Sequence, residues 1–198
     1  TTIASGTIQL TTGNDRLPTT TALSLGQDAS STVGTLDLGG FNQTVAGLAS
    51  ITGASVSGSN LVTTSVGSGT LSINVTSGST YQYSDGSANT SGAITGAVSI
   101  VKQGAGTQIL GGSNSYSGTT TLTAGILRGG NDSAFGTGVL ALNGGTITGT
   151  GSVARSFSNG AAVGGDVTFG DATGTGGLNF SGTVGLGGAT RTLTTVQS

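Results

Sequence analysis

The chain has 198 residues and a formal net charge of −2, and Gly, Thr and Ser account for 102 of its residues. It contains no Cys, His, Glu, Met or Trp, which excludes disulfides, cysteine or histidine metal sites and every catalytic triad that needs these side chains. Five Lys and Arg provide no basic patch for nucleic acid, and the chain lacks the ~18-residue apolar run of a membrane span. We therefore expect no cofactor, no nucleic-acid partner and no membrane insertion.

Short segments with apolar residues at every second position recur along the chain. This alternation is the period of a β-strand, and glycine interrupts every window in which a helix could form. Asn-Gly pairs at 143–144 and 159–160 predict tight turns with a positive φ. In chain order, clear strand segments span residues 34–40, 69–75, 138–145 and 165–170.

Strands that recur about every ten residues, with small turn residues between them, predict an all-β solenoid. In a solenoid the backbone of each coil pairs with the next coil, so small aliphatic side chains suffice for the core. We predict a single β-solenoid domain over residues 1–198, formed by a right-handed parallel β-helix of about ten coils of roughly 20 residues each. A β-sandwich is the alternative, although it usually has a larger aromatic core than 4% of aromatic residues can provide.

An internal repeat relates the start of the chain to its second half. Residues 1–10 align with residues 120–129, and an Asn-Asp pair follows each segment. The offset of 119 residues is far longer than one coil, so each unit must contain several coils. A boundary between repeat units is expected near residues 100–120.

A regular motif spans residues 101–127, at the positions Lys102, Gly104, Gly106, Asn114, Tyr116, Gly118, Thr120 and Gly125. This pattern resembles the autotransporter-associated β-strand repeat, or passenger-associated repeat, of bacterial surface and secreted proteins. The resemblance implies a β-helical region of an exported protein, in which the repeat is associated with passenger secretion and folding. It implies no catalytic residues, and we expect that the protein is not an enzyme.

Asp166 and Asp171 are the two acidic residues whose spacing suggests a function. Two nearby carboxylates could bind Ca²⁺ or serve as the paired acids of a glycosidase. The spacing does not match calcium-binding β-roll repeats, whereas turn residues that accept local backbone N–H bonds explain both positions. We therefore predict that both are turn residues, and we interpret Lys102 and Arg191 as surface residues.

Two further pairs of charged residues lie close together in the sequence. Asp15 with Arg16, and Asp132 with Arg128, are expected to form local ion pairs or caps. Exposed pairs of this kind contribute only about 0–1 kcal/mol to stability. They therefore indicate local structure and carry no functional prediction.

The tyrosines offer a candidate contact for sugars. Tyr81 and Tyr83, at i and i+2 of a predicted strand, would lie on one face and could stack on a sugar ring. Packing between coils is the alternative interpretation, and the repeat motif itself accounts for Tyr116. A glycan-binding platform at Tyr81 and Tyr83 therefore remains open at this point.

No polar cap is evident at either end of the predicted solenoid, and we expect any secretion signal to lie outside these residues. Uncapped coils expose strand edges, and end-to-end contact that does not close produces a filament. We predict a structural extracellular or bacterial cell-surface protein, a homopolymer that assembles through its chain ends into a filament or tube. The alternative is an adhesin or glycan-binding β-helix segment of a larger secreted protein, with surface glycans as partners.

Overall fold

The computed structural model describes residues 1–27, 32–50, 60–84 and 92–196. Within these ranges the chain forms 22 short strands and no helix, so no described segment is a helix that could cross a membrane. The strands are β1 (Thr2–Ile3), β2 (Gly6–Gln9), β3 (Ala22–Leu25), β4 (Gly34–Asp37), β5 (Gln43–Val45), β6 (Gly47–Ser50), β7 (Asn60–Thr63), β8 (Gly69–Asn74), β9 (Thr80–Tyr83), β10 (Gly92–Ile94), β11 (Val98–Gln103), β12 (Thr107–Leu110), β13 (Thr120–Leu122), β14 (Ile126–Gly129), β15 (Leu140–Leu142), β16 (Thr146–Gly149), β17 (Arg155–Phe157), β18 (Ala161–Val163), β19 (Val167–Phe169), β20 (Leu178–Phe180), β21 (Val184–Gly185) and β22 (Leu193–Thr195).

The strands stack as a parallel β-helix, which confirms the predicted fold class. Every strand pairing among the described residues is parallel, and each strand pairs with strands one coil before or after it. A β-sandwich is built from antiparallel strands, so the alternative architecture is excluded. The right hand and the single-domain extent of the solenoid stay predictions.

The coils have three faces, which we number by the order in which the chain crosses them. Face 1 contains the sheet β1-β3-β6 followed by the sheet β9-β12-β14-β16-β19-β22, because β6 packs beside β9. Face 2 is the sheet β2-β4-β7-β10, and face 3 runs from β5 through β8, β11, β13, β15 and β18 to β21. Late in the chain, a two-stranded sheet of β17 and β20 takes the place in the coil that face 2 holds earlier.

Nine strands of the described chain lie on face 1, close to the prediction of about ten coils. At a strand spacing of ~4.8 Å, nine strands rise by roughly 38 Å. The coil length varies along the chain: Thr80 pairs with Thr107, an advance of 27 residues, whereas Thr107 pairs with Ile126, an advance of 19. The shortest coils contain strands on faces 1 and 3 only, and they begin within the motif at residues 101–127.

Alternation of buried and solvent-facing residues builds the core. In β8, Gly69, Leu71 and Ile73 are buried and the residues between them are partly exposed. Toward the end of the chain the core becomes aromatic: the ring centroids of Phe135 and Phe157 lie 4.6 Å apart. The column continues to Phe180, whose ring centroid lies 5.7 Å from that of Phe157.

The internal repeat is a repeat of strand pairs. The first unit forms β1, β2, β3 and β4, and the second forms β13, β14, β15 and β16. The first set alternates between faces 1 and 2, whereas the second alternates between faces 3 and 1. Similar sequences therefore form similar stacked pairs on different faces of the solenoid.

The prediction for the Asn-Gly pairs was wrong. None of the four residues at 143–144 and 159–160 has a positive φ, and the left-handed position of the first turn is Gly145, with φ +78°. Asn159 is instead buried, and its Nδ2 donates hydrogen bonds to the carbonyl oxygens of Phe135, Gly136 and Gly138.

Candidate functional site

Lys102 is buried, which corrects the prediction that it lies at the surface. It follows Ile100 on the inward side of β11, and both side chains are fully buried. Its Nζ donates hydrogen bonds to the carbonyl oxygens of Gln103 (2.7 Å), Gly104 (2.8 Å) and Ala124 (3.1 Å). Burial lowers the pKa of Lys102 from 10.5 to about 8. The ammonium group thus joins the turn after β11 to the turn after β13 in the following coil.

Gln108 bridges the break between β6 and β9 on face 1. Its Oε1 accepts a hydrogen bond from the Leu48 N–H (3.0 Å), and its Nε2 donates to the carbonyl oxygens of Leu48 (2.8 Å) and Ile109 (3.1 Å). Beside it, the Tyr81 ring packs so close to Gly47 that a Cβ there would lie 2.1 Å from the Tyr81 Cδ2. The carboxamide therefore takes the place of a neighbouring strand for β6.

Gln43 makes the same set of bonds at the first strand of face 3. Its Oε1 accepts from the Leu17 N–H (2.9 Å), and its Nε2 donates to the carbonyl oxygens of Leu17 (3.1 Å) and Thr44 (2.6 Å). The Asp15 Oδ1 accepts a hydrogen bond from the Thr44 N–H (2.6 Å). The segment 14–17 thus covers the outer edge of β5, so the expectation of an uncapped end is wrong for face 3.

Asn114 and Tyr116 are buried in the loop between β12 and β13. The Asn114 Oδ1 accepts a hydrogen bond from the Ile94 N–H (2.8 Å), and its Nδ2 donates to the Ala134 carbonyl (2.7 Å). The Tyr116 hydroxyl lies 2.6 Å from the Thr120 Oγ1. Burial raises the pKa of the Tyr116 phenol above its ordinary range. Asn114 therefore connects three successive coils, and Tyr116 fixes the loop against β13.

The glycines of the motif lie where one coil stacks directly on another. Gly104 and Gly125 have φ angles of +69° and +70°. A Cβ at Gly104 would lie 2.2 Å from the Val75 carbonyl oxygen, and one at Gly125 would lie 2.3 Å from the Gly104 carbonyl oxygen. Gly106 and Gly118 face carbonyl oxygens of the preceding coil at similarly short distances. The glycines of the motif therefore allow the coils to stack closely.

The structure separates the two tyrosines that the sequence suggested as a glycan platform. Tyr83 is fully buried, and its hydroxyl donates to the Asn60 carbonyl oxygen at 2.8 Å. Burial raises the pKa of the Tyr83 phenol above its ordinary range. Tyr83 thus offers no ring face to a sugar, and only the partly buried Tyr81 keeps some exposed surface.

Asp171 accepts local backbone hydrogen bonds, as predicted for a turn residue, whereas the prediction was wrong for Asp166, whose donor lies 26 residues away. The Asp166 Oδ1 accepts from the Thr192 N–H (2.7 Å), and the Asp171 Oδ1 accepts from the N–H groups of Thr173 (2.9 Å) and Gly174 (2.7 Å). Burial acts to raise the pKa of Asp171, but these bonds and the Arg128 charge outweigh it and lower the pKa. Within the described ranges, no three acidic residues come together as a metal site.

Two predicted ion pairs are corrected. Among the described residues, Arg128 pairs with Asp171, two coils further along, at 2.6 Å, and Asp132 accepts a hydrogen bond from the Ser156 N–H. Asp15 binds Thr44 as described above, while the Arg16 Nε donates to the Thr12 carbonyl. Arg191 is partly buried, and its Nη1 donates to the carbonyl of the preceding residue.

The outermost strands at the end of the described chain are β22 on face 1, β21 on face 3 and β20 beside β17. Apolar side chains are exposed there: Val184 and Leu186 by 48% each, Leu193 by 43% and Val196 by 38%. A cavity of about 120 Å³ opens between the end of β19, the segment before β20 and the end of β22. Among the described residues, exposed apolar side chains therefore cluster on and beside the last strands.

The geometry defines a parallel β-helix whose coils are joined by buried polar side chains. Residues 100–128 match the family model of the passenger-associated-transport-repeat, which confirms the resemblance: the chain carries a repeat of the autotransporter-associated family. It is also 39% identical over 108 residues to a protein of Brucella suis biovar 1 (strain 1330) named "Adhesin BmaC autotransporter". That match covers 54% of this chain but only 3% of the relative's length. No solved structure matches the chain.

The sequence contained a signal for several structural residues that were not predicted, namely the alternation of buried and exposed positions. Gln43 precedes Val45 and Gln108 precedes Leu110 by two positions, so alternation alone places both glutamines on the buried side of their strands. The same argument applies to Lys102 after Ile100. A polar residue at an inward position must find hydrogen-bond partners in the interior, which predicts a backbone-bridging role.

Proposed function

We propose that this chain is a non-enzymatic structural segment of a bacterial surface or secreted protein, and that copies of it stack end to end into a filament or tube. The observation that carries the proposal is a group of exposed apolar side chains on and beside β21 and β22, namely Val184, Leu186, Leu193 and Val196. Exposed apolar patches are typical of surfaces that contact another chain. The passenger repeat supports the surface or extracellular location.

Side-chain hydrogen bonds between the coils support a mechanical role for the solenoid. Lys102, Gln108 and Asn114 each bind the backbone of another coil, so neighbouring coils cannot separate without leaving buried carbonyl or N–H groups unpaired. Low charge also favours stacking, because charged residues make up only 6% of the chain and the formal net charge is −2. Little like-charge repulsion therefore opposes contact between copies.

Sedimentation velocity of the purified chain, measured over a wide range of concentrations, tests this function. We expect the sedimentation coefficient to rise with concentration and fast-sedimenting polymers to form. The hydrophobic contribution should make assembly stronger at 25 °C than near 4 °C, because apolar stabilisation weakens on cooling. A chain that sediments as one monomeric species at every concentration contradicts the proposal.

A second candidate function is adhesion, with surface glycans as the partner. It is favoured by the name of the Brucella suis relative and by the partial exposure of Tyr81. A glycan-binding screen with the wild-type chain and with Tyr81→Phe tests it, since the ring that would stack on a sugar is retained in the variant. Binding by both, and loss of binding in Tyr81→Ala, would support adhesion, whereas binding to no glycan would remove this candidate.

A further inference from the structure

The outer side of face 3 presents a regular surface of small side chains. Its seven strands form the longest unbroken ladder among the described residues. On β8, β11, β13 and β15, the outward residues of the strands and of the positions directly beside them form three columns across the strands. We call this surface the face-3 grid. Its members, strand by strand, are Thr70, Ser72 and Asn74; Ser99, Val101 and Gln103; Thr119, Thr121 and Thr123; and Val139, Ala141 and Asn143.

Strand register places the side chains of one column beside one another. In the middle column, Ser72 pairs with Val101, Val101 with Thr121, and Thr121 with Ala141. Neighbours within a column are therefore ~4.8 Å apart, and neighbours along a strand are ~6.6 Å apart. An extended polymer that lies along a column meets similar groups at every coil.

The hydroxyl groups of the grid are largely free of protein partners. Among Thr119, Thr121 and Thr123, only Thr123 makes a side-chain hydrogen bond within the described chain, from its Oγ1 to the Lys102 carbonyl oxygen (2.8 Å). All three threonines are partly or fully exposed. Their hydroxyls can therefore donate to and accept from a ligand.

The carboxamides at the edge of the grid point along the solenoid. A Cβ at Gly104 would lie 2.6 Å from the Asn74 Oδ1, and one at Gly164 would lie 2.2 Å from the Asn143 Oδ1. Glycine in the next coil thus leaves room for each carboxamide to lie over it. Asn74 and Asn143 are both exposed, so they add donors and acceptors to this edge.

We propose that the face-3 grid binds a neutral polysaccharide in an extended conformation. None of its side chains is charged, so an anionic lipid, a nucleic acid or an acidic glycan would find no basic partner there, and burying such charges would cost free energy. Hydroxyls and carboxamides form hydrogen bonds with sugar hydroxyls, and the ~4.8 Å spacing is close to the length of one sugar unit in an extended β-linked chain. Binding here rests on the second candidate function, adhesion, and does not depend on end-to-end stacking.

The area of the grid fits a polymer better than a second protein. Four strands of about six residues cover roughly 400 Å². This is about half of the ~800 Å² that each partner buries in a standard protein–protein interface. A polysaccharide needs no large area at one place, because its linked units contact successive coils and the contacts reinforce one another.

Calorimetric titration with neutral polysaccharides tests the proposal. The probes are hydroxyethyl cellulose, xyloglucan and galactomannan, and carboxymethyl cellulose is the acidic comparison on the same backbone as the first. We expect binding to at least one neutral polymer and at least about tenfold weaker binding to the acidic one. Oligosaccharides of six units should bind at least about tenfold more tightly than disaccharides, since they reach more strands.

Variants that remove hydroxyls locate the site. Ser72→Ala with Thr121→Val keeps the strands and should weaken binding about tenfold, without changing the thermal unfolding temperature. The matched control is Thr35→Val with Thr146→Val, at partly exposed positions on faces 2 and 1, and it should bind like wild type.

The outcomes separate the site from adhesion itself. If wild type binds and Ser72→Ala with Thr121→Val binds equally well, while Tyr81→Ala does not bind, adhesion stands and the face-3 grid is the wrong site. Equal binding to the neutral and acidic celluloses would contradict the choice of a neutral ligand. A chain that binds none of the neutral polymers overturns the proposal, and an acidic glycan found in the screen would still support adhesion. A change in sedimentation caused by the face-3 variant would instead make the grid an interface between copies.

Discussion

At the scale of single residues, Lys102 and Asn114 of the motif bind backbone groups of other coils. The three N–H donors of the Lys102 ammonium meet three carbonyl oxygens, a geometry that offsets part of the cost of burying a charge. Sequence alternation could have placed Lys102 inside, because it follows Ile100 by two residues in a strand. The identity of its partners could not be read from the sequence, since they lie on turns that come together only when the coils stack.

The lowered pKa of Lys102 predicts a pH dependence of stability. The pKa is about 8 in the folded chain and about 10.5 when unfolded, so the unfolded state binds more protons between these values. The free energy of unfolding should therefore rise above about pH 8, by at most ~1.4 kcal/mol per pH unit, and be flat below it. Urea unfolding between about pH 7 and 9 measures this, below most of the range in which tyrosines titrate.

Lys102→Met is the control for that measurement, because it removes the titrating group and keeps a long apolar side chain. Its stability should be independent of pH over the same range. An equal slope in the variant and in wild type would show that another group causes the dependence, and the account of Lys102 would be wrong.

Substitution of a bridging glutamine by alanine should lower the free energy of unfolding substantially. Gln108→Ala leaves the buried N–H and carbonyl of Leu48 without partners, which predicts a loss of about 2–5 kcal/mol of unfolding free energy. Gln82→Ala, at an exposed position of the neighbouring strand β9, should cost less than about 0.5 kcal/mol. Chemical denaturation of both variants measures the difference, and similar small losses would contradict the bridging role.

Two glycines with nearly the same φ allow the energetic cost of backbone strain to be measured apart from the cost of disturbing close stacking. Gly125 has φ +70° and its Cβ would meet the Gly104 carbonyl at 2.3 Å, whereas Gly78 has φ +77° and open space around it. We expect Gly78→Ala to cost about 1–2 kcal/mol through left-handed strain alone. Gly125→Ala should cost clearly more, at least about 3 kcal/mol, since the coils must also move apart. Equal losses in thermal unfolding would show that stacking adds nothing.

At the scale of elements, strand segments were predictable and their connections were not. Alternation in segments such as β8 and β19 follows from the burial of one face, which is a local signal. The segment 14–17, which covers β5, and the segment 170–177, which reaches back to Arg128, depend on contacts between distant residues. The predicted Asp132–Arg128 pair was wrong for this reason. Asp132 is nearer to Arg128 in the sequence, but Asp171 is the acidic residue that lies beside Arg128 in the folded chain.

The segment 170–177 should loosen in acid. The pKa of Asp171 is lowered, so its contribution to stability is present above its unfolded pKa of about 3.8 and is lost as the pH falls through the folded value. The pKa of Asp37 is lowered too, since hydrogen bonds from Ser65, Gly39 and Gln9 outweigh the effect of its burial. Wild type should therefore lose stability below about pH 4.

Asparagine variants assign that acid sensitivity. Asp171→Asn keeps the acceptor oxygen of the turn and removes the titration, so its stability should fall less steeply in thermal melts below about pH 4. Asp171→Asn combined with Asp37→Asn should flatten the curve further. A double variant that is as sensitive to acid as wild type would show that neither carboxylate is responsible.

At the scale of the whole molecule, composition predicted the architecture and the sequence repeat predicted its periodicity only in part. Many small residues and few charges favour stacked coils, and the stacked parallel strands confirm this. The uniform coil of roughly 20 residues holds near the passenger repeat, where the advance is 19, but earlier coils are longer because they add a strand on face 2. The number of strands in a coil depends on which loop lies over the core. No local sequence pattern encodes this arrangement.

Cryo-electron microscopy of the purified chain tests the central claim of end-to-end stacking most directly. If each copy contributes nine strands to face 1 at ~4.8 Å spacing, filaments should show an axial repeat of about 43 Å per copy. Strands should lie across the filament axis, as they lie across the axis of the single solenoid. Isolated short rods, or filaments in which the rods lie side by side, would contradict the account.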